Sequence, residues 1–208
     1  MTLIIALEKG DPAGIVTVSP RAAAVDGSSL DLRPGDKLTL RNNLTGMMLV
    51  SGNDAATAIA EHVAGSVPAF VALMNAKAAK LGATNTHFTN PHGLPDPINH
   101  YTTAYDLALI SAYAMQNPDI VKIVSAREAD ISFLNRKAVH ATNTNKLLKT
   151  YPGINGLKTG YTREAGDCLV AGARRNSVQL ITVVLNDDNR WTDAAALLDY
   201  GFQQLSQK

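Results

Sequence analysis

The chain opens on an apolar stretch, MTLIIALEKG over residues 1–10, in which Met1, Leu3, Ile4, Ile5, Ala6 and Leu7 leave almost no polar face. A helix that is apolar all round is a buried one. Glu8, Lys9 and Gly10 read as its last turn and stop, with Pro12 just beyond. No capping residue precedes it, so its first N–H groups find no partner in the sequence. That is the pattern of a buried helix entered part-way along. The plainer alternative is a start methionine followed by a short hydrophobic helix.

Further on, GIVTVS (14–19) and a segment around Lys37–Leu40 read as short extended pieces, punctuated by Gly27, Pro34 and Gly35. NNLTGMMLV (42–50) and DAATAIAEHVAG (54–65) have helical periodicity, broken at SGN (51–53). VPAFVALMNAKAAKLG (67–82) is a helix with Pro68 in its first turn and Gly82 at its stop. Residues 84–102, rich in Asn, Pro and Gly, form a long loop of the length usually kept for function. A helix follows over 103–117, opened by a Thr103–Asp106 capping box, and a shorter one over 118–124.

The period then changes from helical to alternating. EADISFL (128–134) and KAVHAT (137–142) predict a hairpin around Asn135 and Arg136. Residues 154–162, 167–175 and 178–186 predict three successive strands, the last two joined by a tight turn at Arg175–Ser177 and therefore antiparallel. An amphipathic helix over 190–207 closes the chain. A helical middle, antiparallel strands and a final helix define an α+β fold with helices packed on an antiparallel sheet.

Bulk properties narrow the function classes. The 208 residues suit one substantial domain, with room for two lobes. A formal net charge of +1 and no basic cluster give nucleic-acid binding no electrostatic support. No apolar run approaches membrane-spanning length. The opening stretch is too short for a signal peptide and lacks its basic flank and cleavage site. The one cysteine, Cys168, has no internal partner and reads as a small buried strand residue. His87, His92 and His100 share the long loop without the compact spacing of a zinc site, and His62 and His140 read as surface or hairpin positions.

Two short stretches carry candidate chemistry. Ser51 and Asn53 sit in the break between two helices, where a hydroxyl and an amide can face one cleft; taken alone, Ser51 with Asp54 also fits S-x-x-D helix capping. Lys158, Thr159 and Gly160 lie on a predicted strand. The lysine offers a cationic anchor and the threonine a donor and acceptor for a carboxylate. The glycine lets a ligand lie against the strand backbone. S-x-N followed by K-T-G is two of the three motifs shared by penicillin-binding proteins and class A β-lactamases.

With their flanks, MMLVSGNDAATAIAEHVAGS, FVALMNAKAAKLGATNTHFTNPHGL, NHYTTAYDLA, YPGINGLKTGYTREAGDCLVAGARR and LLDYGF, these motifs resemble the low-molecular-mass D-alanyl-D-alanine carboxypeptidases from Met1 to about Phe202. The resemblance implies a penicillin-binding, β-lactamase-like domain over 1–208, helices flanking an antiparallel sheet beside a mainly helical lobe. It implies a serine-type carboxypeptidase that removes the terminal D-alanine of peptidoglycan stem peptides through an acyl-enzyme. No cofactor or metal is expected. β-Lactams are expected as inhibitors of the complete enzyme, and the cell envelope as its place.

Residue by residue, the resemblance implies that Ser51 shuttles protons, Asn53 holds the substrate amide, and Lys158 and Thr159 bind the donor peptide and its terminal carboxylate beside Gly160. It gives the Tyr161 N–H to the oxyanion and Arg190 to the substrate carboxylate; otherwise Arg190 reads as a solvated residue at a helix start. The loop motifs NPHGL and NHYTT are expected to shape the cleft.

In the family, the third motif, S-x-x-K, sits at the N-terminus of the buried central helix, and the register here begins just after it. No Ser, Thr or Cys of the 208 residues has a Lys three positions later. The expectation is therefore a domain without its N-terminal strands and without the nucleophilic serine and its lysine, inactive alone. Two alternatives stand beside it. A catalytically dead relative would bind muropeptide or a partner. A β-lactamase would need a water-activating carboxylate, for which the long loop offers only Asp96.

Overall fold

The computed structural model describes residues 1–96 and 98–206. Pro97, inside the expected loop, and Gln207, at the end of the expected last helix, lie outside them. The first helix, α1 (Thr2–Lys9), buries Thr2 to Ala6. Thr2 spends its hydroxyl on the Pro91 carbonyl at 2.6 Å, which ties the helix to the long loop. Gly10 ends it where a Cβ would stand 2.6 Å from Leu40 Cδ2, so only glycine fits that crossing.

Strand β1 (Ile15–Thr17) pairs antiparallel with β2 (Lys37–Thr39). Between them lies α2 (Pro20–Ala23), capped by the Ser19 side chain. Its single turn is too short for periodicity to reveal. Helix α3 (Leu40–Val50) begins two residues ahead of the expected start, because Thr39 accepts the Asn42 N–H and caps it there. Then follow α4 (Asn53–Ala64), α5 (Val67–Lys80), α6 (Ala104–Ala114) and α7 (Pro118–Val124). Ser66, Thr103 and Asn117 cap the last three with their side chains.

The hairpin is shorter than its pattern suggests: β3 (Glu128–Ile131) pairs with β4 (Val139–Thr142). Its tip bonds elsewhere. Leu134 N–H donates to the Lys37 carbonyl, Asn135 bonds the Gly35 carbonyl and the Lys37 N–H, and Arg136 pairs with Asp36. A second unforeseen turn, α8 (Leu147–Thr150), precedes the main sheet.

That sheet runs β5 (Ile154–Thr162), β6 (Gly166–Arg175), β7 (Val178–Val184), antiparallel in sequence order as expected. Leu169, Ala171 and Ala173 point to one face and pack with Ala194 and Leu198 of α9 (Arg190–Ser206). Leu157 and Val170 point to the other and join the large core beneath α1, α3, α4 and α5. The sheet thus has helices on both faces, beside a helical lobe. The fold is α+β, as the change of period implies.

Candidate active site

A cavity of about 330 Å³ opens between the helical lobe and β5. Its polar rim holds Ser51, Lys158, Thr159, Asn90, His92 and His100, while the floor is apolar and reaches Met47, Ile110 and Leu157.

Ser51 ends α3 in the left-handed conformation, φ 60 and ψ 38, with its N–H on the Met47 carbonyl. A short polar residue tolerates that conformation. The turn aims the hydroxyl at β5, where Lys158 Nζ donates to Ser51 Oγ at 2.8 Å. Helix capping by Ser51 with Asp54 is not what forms: the N-cap of α4 is Gly52, without a side-chain bond, and Asp54 binds a different segment.

Lys158 Nζ also donates to the Thr159 carbonyl at 2.7 Å. Burial first, and the nearby Arg190 charge second, lower its pKa to about 8. Thr159 Oγ1 lies 2.7 Å from Thr144 Oγ1. Thr144 is held in turn by its N–H on the Leu49 carbonyl of α3. Gly160 is open: the nearest atom to an added Cβ is Cys168 Cβ at 3.8 Å. Tyr161 is exposed and does not line the cavity.

Asn53 is buried and does not line the cavity; its Nδ2 donates to the Asp26 carbonyl at 2.7 Å. Arg190 does not line it either, nor is it a solvated residue at a helix start. From the start of α9 it donates to the carbonyls of Gly160 (2.7 Å) and Cys168 (3.2 Å) and pairs with Asp167 at 3.0 Å, leaving Nε buried without a partner among the described residues. It reaches the site from behind the strand. Cys168 is half-buried and lines the cavity.

His92 and His100 line the cavity, as the loop motifs led one to expect. Burial and the neighbouring His100 lower the His92 pKa to about 4, and burial lowers that of His100. His92 is therefore a neutral imidazole at ordinary pH; its Nδ1 accepts the Leu94 N–H. His87 is half-buried and stacks on Tyr101 instead, and His140 pairs with Asp130 on the exposed hairpin. Thr144 escaped sequence reasoning entirely, because a lone threonine in TNTNK carries no signal that it will meet Thr159.

The fold is that of penicillin-binding DD-peptidases. A crystal structure of D-alanyl-D-alanine carboxypeptidase from Mycobacterium tuberculosis H37Rv superposes with a TM-score of 0.90 at 36% identity, covering 97% of this chain and 78% of that one. The S216A mutant of the Streptomyces K15 DD-transpeptidase gives 0.91 at 33%, covering 97% and 85%. The family profile of the D-alanyl-D-alanine carboxypeptidases, peptidase family S11, matches residues 1–189, and the chain belongs to that family. D-alanyl-D-alanine carboxypeptidase DacF of Bacillus subtilis is 38% identical over 212 residues, covering 98% of this chain. The chain spans 54% of the length of that relative.

Proposed function

We propose that this chain carries the substrate-handling side of a serine-type carboxypeptidase that removes the terminal D-alanine from peptidoglycan stem peptides through an acyl-enzyme. The observation that carries the reading is the 2.8 Å contact between Ser51 and Lys158, which joins the two motifs across the cavity. Lys158 and Thr159 receive the terminal carboxylate, a charge-assisted contact in a site with an apolar floor. Ser51, bonded to Lys158, passes a proton to the departing amine. Asn53, with Nδ2 engaged, keeps its Oδ1 to accept the substrate N–H. The Tyr161 N–H serves the oxyanion, and Arg190 adds positive charge from behind β5. β-Lactams enter the same site as inhibitors of the complete enzyme, and the activity belongs in the cell envelope.

The 208 residues hold no S-x-x-K, so on this reading the attacking serine and its lysine come from outside them. Ser51 is poorly placed to replace that serine. The N–H groups of Ser51 and Gly52 both go to the Met47 carbonyl, and that of Asn53 to Ser28. These three N–H groups are therefore already bonded and offer no donor pair to an oxyanion on Ser51. Loss of a hydrolase nucleophile costs about a millionfold in turnover.

The test is labelling with a fluorescent penicillin, read by intact mass. These residues alone stay unlabelled, while full-length protein carrying the S-x-x-K segment takes up one penicillin and releases D-alanine from a D-Ala-D-Ala peptide. An adduct on Ser51 overturns its role as proton shuttle. A full-length protein that neither labels nor hydrolyses leaves muropeptide binding without catalysis.

A further inference from the structure

Asp54 is a carboxylate 1% exposed, with no cation bonded to it among the described residues. Neutral donors satisfy it instead. Oδ2 accepts the Ser29 hydroxyl at 2.7 Å and the Leu32 N–H at 3.0 Å, Oδ1 accepts the Ala55 N–H at 2.8 Å, and the Leu30 N–H bridges both oxygens at 3.0 and 3.1 Å. These donors fasten residues 29–32 across the N-terminus of α4. Leu30 packs so closely on α3 that a Cβ on Gly46 would stand 2.3 Å from it.

The same segment holds the preceding residue. The Asn53 N–H donates to the Ser28 carbonyl at 2.7 Å, and its Nδ2 donates to the Asp26 carbonyl at 2.7 Å. Gly27, at φ +93, leaves room for that amide, since a Cβ there would lie 2.7 Å from Nδ2.

We propose that Asp54 is a positioning residue: by fastening residues 29–32 it fixes the Asp26 carbonyl, which in turn sets the orientation of the Asn53 carboxamide. A carboxamide free to rotate would present NH2 or oxygen with equal ease. Pinned through Nδ2, it offers Oδ1 alone, an acceptor for a substrate N–H. The catalytic meaning rests on the function proposed above; the positioning itself does not.

The experiment is a double-mutant cycle in the full-length protein: Asn53→Ala, Asp54→Asn and both, with acylation by a fluorescent penicillin as readout. Asp54→Asn lowers the acylation rate about tenfold and has no further effect once Asn53 is alanine. A purely structural residue would instead multiply its loss onto that of Asn53→Ala, and this outcome, or an unchanged rate in Asp54→Asn, overturns the proposal. Asp54→Glu, which keeps the acceptor charge, restores part of the rate.

If Asp54→Asn does not fold, Gly27→Ala, which crowds the same amide from the other side, takes its place in the cycle under the same criteria. If the wild-type protein shows no acylation, the functional reading fails by itself. The Asn53 side-chain ¹⁵N–¹H signal of the 208-residue chain then decides the positioning: it shifts in Asp54→Asn if Asp54 acts through the amide, and a signal that stays put overturns the claim.

Discussion

Ser51 and Lys158 face each other at 2.8 Å but come from regions built in different ways. Ser51 sits in a helix break whose shape comes from tertiary contacts: a left-handed residue, a neighbouring glycine with no room for a side chain, and a buried carboxylate holding a distant segment. Lys158 sits in a regular ladder, Lys158 opposite Val170 and Thr159 opposite Leu169, where backbone pairing sets the position of each residue. The first region is specified by packing and buried hydrogen bonds, the second by backbone pairing. Changes that leave no room should therefore hurt the first and be absorbed by the second, while changes of charge should hurt the second.

The largest expected effect is on charge. Lys158→Met removes the cation from the rim and should weaken binding of a peptide carboxylate about a hundredfold, or ~3 kcal/mol. Isothermal titration with a D-Ala-D-Ala peptide and its C-terminal amide checks it, the amide losing far less.

Next comes a matched pair of glycines. In Gly52→Ala the new Cβ lies 2.9 Å from Asp54 Oδ1 and 3.2 Å from the Leu30 nitrogen, and the chain should lose ~1–3 kcal/mol of stability. In Gly160→Ala the nearest atom is 3.8 Å away, and the unfolding free energy from denaturant melts should change by less than ~0.5 kcal/mol. Equal losses at the two sites would erase the contrast.

Acidity sharpens the same comparison. With its pKa lowered to about 8, Lys158 is mostly charged at pH 7 and mostly neutral at pH 9. Carboxylate binding should therefore fall about tenfold between them, whereas Lys158→Arg should hold a flat profile. The sign for stability is opposite: the unfolded lysine keeps its proton to higher pH, so this group adds stability as pH rises from about 8 toward its ordinary value.

A last, modest effect lies away from both regions. Glu8 Oε1 takes bonds from Lys77 and Tyr113 at 2.6 Å each, joining α1 to α5 and α6. Although burial works against it, these bonds hold the Glu8 carboxyl below its ordinary pKa. Glu8→Gln should cost ~1 kcal/mol at neutral pH, a difference that fades once acid protonates Glu8; thermal melts at pH 7 and pH 3 check this.

Legibility in the sequence follows the same division. The ladder region was readable: three alternating runs and one tight turn gave the strands and their order, and they placed Lys158 and Thr159 on β5. The long helices were readable from their period and caps. The single-turn helices α2 and α8 were not, since four residues cannot display a period. For the hairpin, alternation continues past Ile131, but Asn135 and Arg136 are claimed by residues 35–37.

At the site, the motifs named Ser51 and Lys158, which the fold brings to 2.8 Å of each other. What they could not disclose was what the polar atoms of Asn53 and Arg190 would meet. Apart from the Asp167 carboxylate, their partners, the carbonyls of Asp26, Gly160 and Cys168, are backbone groups that leave no mark in composition.

The contact that closes the site has a consequence for the order of events in time. Lys158 and Ser51 are 107 positions apart, and the hairpin-tip bonds to residues 31–37 span 97 to 105. Contacts of such long range are slow to form, because the intervening chain must be ordered first. During synthesis at roughly 5–20 residues per second, Lys158 leaves the ribosome some ~5–20 s after Ser51. Through that interval the helical lobe can gather around its own apolar core while the serine waits in an unfinished cleft. The partner that completes the cleft arrives only after the helices that surround Ser51 have been made.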